Sequence, residues 1–130
     1  MNKEQLNDLE SIFNDYPEIK LVYFFGSKAA GKAGPMSDYD FAVFMDEKEK
    51  KKNFDIKFAL IDKISRFFKT DKVDIVILNL TESPELKYNI IKEGRLIYEK
   101  EPFRLIVEPK ILNEYFDFRY LLLKYHLTKA

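Results

Sequence analysis

The sequence predicts an α/β (α+β) fold, a mixed β-sheet of about four strands packed against helices. Three observations lead there. Apolar runs of strand length alternate with segments of helical periodicity, and Pro or Gly marks most of the junctions. The 130 residues, 46% of them apolar, suffice for one core and little more. No linker, repeat or low-complexity stretch divides the chain, so 1–130 reads as a single domain with 102–127 as a C-terminal helical segment.

Residues 3–14 predict an amphipathic helix, with Leu6, Leu9, Ile12 and Phe13 on one face and Asn2 as its cap. Pro17 breaks that pattern. Ile19 to Phe25 is a β-rich run ending at Gly26, hence a largely buried strand. The small residues from Ser27 to Gly34 suit a short helix and a loop closed by Pro35. Asp38 to Met45 forms the second strand, with acids at its start and Phe41, Ala42, Val43 and Phe44 after them.

From about Lys50 to Phe68 the apolar residues Phe54, Phe58, Ile61, Ile64 and Phe68 recur at helical spacing, and Lys48 to Lys52 is that helix's solvated entrance. Val73 to Leu78 is a third strand, interrupted only by Asp74. Ser83 then caps a helix with Pro84 at its first position, and Gly94 closes it. Arg95 to Glu99 is a fourth short strand. A long helix starts after Pro102 or Pro109 and carries Tyr115, Phe116, Phe118, Tyr120 and Tyr125. With Ile111, Leu112, Leu121 and Leu122 its apolar residues exceed one narrow stripe, so it is either deeply buried or meets a partner.

Composition narrows the chemistry. Basic and acidic residues balance at 22 each, which argues against direct, unspecific nucleic-acid binding. There is no cysteine and a single histidine, so a metal would be held by carboxylates and water, favouring magnesium, with manganese as the alternative. His126, near the end of the chain, has no role that the acids leave open. No apolar run approaches the ~20 residues of a membrane span, and the polar N-terminus does not read as a signal peptide. A cytoplasmic, membrane-free protein is the expectation.

Three features point to one site. A buried strand runs into Gly26-Ser27 at a helical turn, where glycine admits close approach of a phosphate and unpaired N–H groups favour an anion. Asp38 and Asp40 stand at i and i+2 on one strand, so their carboxylates share a face ~7 Å apart, suited to one or two divalent ions. Asp74 interrupts an otherwise apolar strand, which is costly without a cation or proton donor nearby. Taken singly, each has an ordinary structural reading as a turn, a strand entry or a surface acid. Taken together, Gly-Ser followed by Asp-x-Asp at this spacing should arise by chance in roughly one such chain in several hundred.

The segment from Gly26-Ser27 through Ser37-Asp38-Tyr39-Asp40 resembles the Gly-Ser-x10-Asp-x-Asp signature of the polymerase-β-like nucleotidyltransferase superfamily, with Asp74 where that superfamily carries its third acid. The chain's size, its Ser83-Pro84 and its Gly94-Arg95-Leu96-Ile97-Tyr98 are similar to stand-alone minimal nucleotidyltransferases of the MntA antitoxin type. The resemblance implies a nucleotidyltransferase fold and magnesium-dependent transfer of a nucleoside monophosphate, AMP from ATP, to a hydroxyl. It implies that Gly26, Ser27 and Lys28 bind the nucleoside triphosphate and that Asp38, Asp40 and Asp74 are both metal ligands and catalytic residues. The implied acceptor is a tyrosine of a partner HEPN-type ribonuclease toxin, and the implied role is that of its antitoxin. A homodimer is left open.

The chain departs from the pattern at Ala30, where many relatives have Arg; Lys28 or Lys32 would have to supply the missing cation, without a guanidinium's bidentate grip. That departure keeps two alternatives in view. One is an inactive nucleotidyltransferase fold that neutralises its partner by contact. The other is an enzyme acting on a small molecule, for which a short chain offers few enclosing walls.

Overall fold

In a computed structural model, described here for residues 1–29, 31, 34 and 37–126, four strands form one mixed sheet. The elements follow in the order α1 (Lys3–Asn14), β1 (Ile19–Phe25), α2 (Gly26–Ala29), β2 (Tyr39–Met45), α3 (Lys50–Phe68), β3 (Val73–Ile77), a 3₁₀ turn (Leu78–Leu80), α4 (Pro84–Glu93), β4 (Arg95–Glu99) and α5 (Phe103–Lys124). Sheet order is β3-β2-β1-β4, with β1 antiparallel to both neighbours and β2 parallel to β3.

Local sequence sets most boundaries. The Asn2 side chain accepts the Gln5 N–H at 2.8 Å while the Gln5 side chain accepts the Asn2 N–H at 3.0 Å, a reciprocal cap for α1. Ser83 accepts the Leu86 N–H at 3.2 Å and Pro84 opens α4. Three expectations shift. β2 begins at Tyr39, leaving Asp38 just outside the strand, and β3 ends at Ile77 because the chain turns tightly through Leu78–Leu80. Pro109 lies inside α5 and does not start it. A proline there removes a donor to the carbonyl of Leu105, a residue left 79% exposed, so water can take that role.

Side chains on the two faces of the sheet build two cores. Val22, Phe24, Phe41, Val43, Ile75 and Ile77 pack with Leu9, Phe13, Ile56, Leu60 and Ile64 of α1 and α3. Leu21, Tyr23 and Ala42 pack with Ile90, Val107 and Ile111 of α4 and α5. The expected apolar stripe of α3 holds at Ile64, with Ile61 and Phe68 packed partly buried on the same core, and fails in its first half. Its buried residues are Asn53, Ile56, Leu60 and Ile64, whereas Phe54 and Phe58 remain 42% and 63% exposed. Both series fit a 3.6-residue period, so spacing alone does not choose between adjacent stripes. Among the described residues no helix is long and apolar enough to cross a membrane.

Candidate active site

Strand directions bring the signature residues to one rim. β1 leaves the sheet at Phe25 on the side where β2 and β3 enter it, because it runs antiparallel to β2. Asp40 lies opposite Phe25 on one side and opposite Asp74 on the other. Alternation places Asp40 on the same face as Ala42, towards α4 and α5, and the paired position of Asp74 gives its side chain the same sense.

Gly26 is fitted to this rim. Its φ is +82°, and a Cβ there would collide with the Asp40 carboxylate. Glycine therefore serves two ends, a left-handed backbone and room for an acid. Ser27 is exposed on the four-residue turn α2. Lys28 is placed differently from its neighbours, with Nζ 4.5 Å from the centroid of the Tyr39 ring. Tyr39 in turn stacks on Phe68 at 4.1 Å and 14°. Tyr39 sits between the two acids in sequence, so it points to the opposite face of β2, and Lys28 follows it there. Ala30 and Lys32 lie outside the described residues.

The electrostatics show three acids sharing space. Partial burial, then the Asp74 charge, then the Asp38 charge hold the Asp40 carboxyl above the ordinary aspartate range. Asp38 and Asp74 are exposed. Among the described residues none of the three enters a salt bridge. Among those residues, too, no three acidic, histidine or cysteine groups stand close enough together to hold a metal as they are. Among the described residues the rim is thus an oxygen-only donor set that no salt bridge compensates. It suits a hard divalent cation, whose arrival would relieve the repulsion on Asp40, and side-chain rotation would be needed to close on it.

Two cavities of about 290 Å³ flank the sheet. One, lined by Phe44, Leu78, Lys87, Lys110 and Glu114 among others, lies along the sheet away from the acids. The other runs beside β3, from Asp74 to Ile77, with Phe54, Lys57, Leu80 and Thr81 completing its walls. The sequence carries Phe54 and Lys57 as ordinary helix residues, and only the tertiary placement of α3 joins them to Asp74.

Residues 7–103 match the family described as Polymerase beta, Nucleotidyltransferase. The chain belongs to that nucleotidyltransferase family. A curated relative, the protein adenylyltransferase MntA of Aphanizomenon flos-aquae, is 35% identical to this nucleotidyltransferase-family chain over 92 residues. That match covers 65% of the chain and 59% of the relative, less than two thirds of the relative's length.

Two solved structures have the same fold. One is a toxin–antitoxin crystallised with AMP-PNP, with a TM-score of 0.75 and 20% identity, covering 96% of this chain and 95% of that one. The other is a tri-AMPylated Shewanella oneidensis HEPN toxin in complex with its MNT antitoxin, with a TM-score of 0.71 and 19% identity over the same shares.

Proposed function

We propose that this nucleotidyltransferase-family chain transfers AMP from ATP to a tyrosine of a partner HEPN-type toxin, in a magnesium-dependent reaction in the cytoplasm, and thereby acts as the antitoxin. The observation that carries the reading is the meeting of Gly26, Asp40 and Asp74 on one rim, with Asp38 at its edge. The MntA relative and the folds seen with AMP-PNP and with an AMPylated HEPN toxin support the choice of nucleotide and partner.

In this reading Gly26 and Ser27 hold the triphosphate, the main chain approaching it closely because Gly26 lacks a side chain. Asp38, Asp40 and Asp74 would hold the divalent ion, which when bound supplies charge neutralisation at the phosphates. Asp74, exposed on the outermost strand, accepts the proton of the incoming hydroxyl. The hydroxyl oxygen bonds to the α-phosphorus, the bond from that phosphorus to its bridging oxygen breaks, and pyrophosphate leaves. Lys28 reaches the phosphates by leaving the Tyr39 ring, at a cost of about 1 kcal/mol for an exposed cation–π contact.

Calorimetric titration with ATP tests this. Binding should require magnesium and should vanish in the double variant Asp38→Asn, Asp40→Asn. A second reading, neutralisation by contact alone, draws on the exposed apolar residues of α5, including Leu105, Ile106, Phe116 and Leu121. That reading expects a tight complex with the partner and no magnesium-dependent ATP binding.

A further inference from the structure

We infer that the free edge of β3 is where the protein acceptor docks, as an added extended strand that delivers its hydroxyl to Asp74. The inference rests on the transfer reaction above and adds how the acceptor is held. β3 is an outermost strand, and its parallel pairing with β2 runs without a register shift. Tyr39 donates its N–H to the Lys72 carbonyl at 2.8 Å, which sets the phase of that ladder. Asp74 and Val76 therefore turn their main-chain groups to β2, while Ile75 and Ile77 turn theirs outward. The Ile77 carbonyl accepts the Thr81 hydroxyl at 2.8 Å. Ile75, turned away from β2, has no second strand beside it among the described residues.

Outward donors and acceptors at strand spacing match another extended main chain, and neither a helix nor a nucleotide presents that array. This edge is also less guarded against such pairing than the opposite one. The opposite edge strand, β4, is bounded by Arg95 and Glu99 and pairs with β1 through an irregular register. β3 alternates Val and Ile around a single charge, the Asp74 assigned to catalysis.

The groove beside this edge fixes the direction of approach. Asp74 is among its lining residues, and Phe54 and Lys57 wall it from α3, on the sheet face opposite the Asp74 carboxylate. Phe54 stacks with Phe58 at 6.5 Å, both rings left outside the core. A strand laid there sits ~4.8 Å beyond β3. A side chain from it, on the face that carries Asp74, crosses that carboxylate towards Asp40, one strand spacing further in. Tyrosine has the length for such a crossing.

Amide hydrogen exchange, read residue by residue by NMR on the labelled chain, tests the docking. The partner used is a HEPN-domain toxin, with AMP transfer to it measured in the same mixture. The Ile75 amide should exchange freely in the isolated chain and slow at least ~10-fold in the complex, with Val76 changing little. The variant Phe54→Ser with Lys57→Glu should raise the acceptor KM ~10-fold or more and leave ATP affinity unchanged. Transfer with unchanged Ile75 exchange and protection confined to α5 would overturn the inference and spare the reaction. Concentration-dependent protection in the isolated chain would overturn it too, in favour of a second copy at the edge. If no AMP is transferred, the reaction fails; Ile75 protection on mixing would still support the docking, and its absence would sink both.

Discussion

At the scale of single residues, Gly26 and Asp40 define each other. Both Gly26 and Gly31 have positive φ, +82° and +72°, but a Cβ on Gly31 meets nothing within 4 Å among the described residues. Gly31→Ala should therefore cost only the backbone preference, roughly 1–2 kcal/mol in chemical denaturation. Gly26→Ala should cost more than that and also remove AMP transfer, because it displaces Asp40, an acid proposed to hold the metal. Equal losses of stability in the two variants, with transfer retained, would contradict the fitted contact.

Asp40 also gives a pH test. A carboxyl raised in the folded state favours folding when protonated, and that contribution is lost as pH rises from about 3.8 through the raised value. At neutral pH the ionised Asp40 is thus a burden in the metal-free protein. Asp40→Asn should melt at a higher temperature than the parent at pH 7, and the gap should close towards pH 4. Magnesium should raise the melting temperature of the parent and not of the variant.

At the scale of elements, one polar clip joins three of them. Asn79 accepts the Met45 N–H at 2.9 Å and donates to Asn53 at 3.0 Å, and Asn53 donates to the carbonyls of Glu47 and Glu49 at 3.0 and 2.8 Å. Asn53 is fully buried, at the entrance of a helix whose N-cap Glu49 makes no side-chain cap. Asn53→Ala should cost ~2–3 kcal/mol in urea unfolding, since it strands the Asn79 amide and two carbonyls as well as losing its own bonds.

Nothing in the local sequence announces this clip, because its partners lie up to 34 positions apart. The helix and strand boundaries were legible for the opposite reason. Asn2, Ser83-Pro84 and Gly94 act within a few residues of themselves, whereas the choice of buried stripe in α3 depends on which face meets the sheet. Pro109 misleads for a related reason, since its cost depends on the solvent around Leu105.

At the scale of the whole molecule, the acids were legible as a string and became a rim only through topology. The i, i+2 spacing predicts Asp38 and Asp40 on one side of a strand, yet Asp38 stands just before β2, and the meeting of Asp40 with Asp74 needs β2 and β3 parallel and in register. The position of Lys28 was not legible, because its partner ring on Tyr39 faces away from the acids it neighbours in sequence. The β3 groove was not legible either, since it exists only where α3 and the edge strand run side by side.

Transfer of AMP from this rim to a partner tyrosine, as proposed, is open to test with radiolabelled ATP. The chain is incubated with magnesium, ATP labelled at the α-phosphate and a HEPN-domain toxin, and the modified residue is mapped by mass spectrometry. The predicted result is label on a toxin tyrosine, lost when Asp38 and Asp40 are both changed to Asn. Label of equal intensity in that double variant, or a neutralised toxin that carries no AMP, would contradict the account.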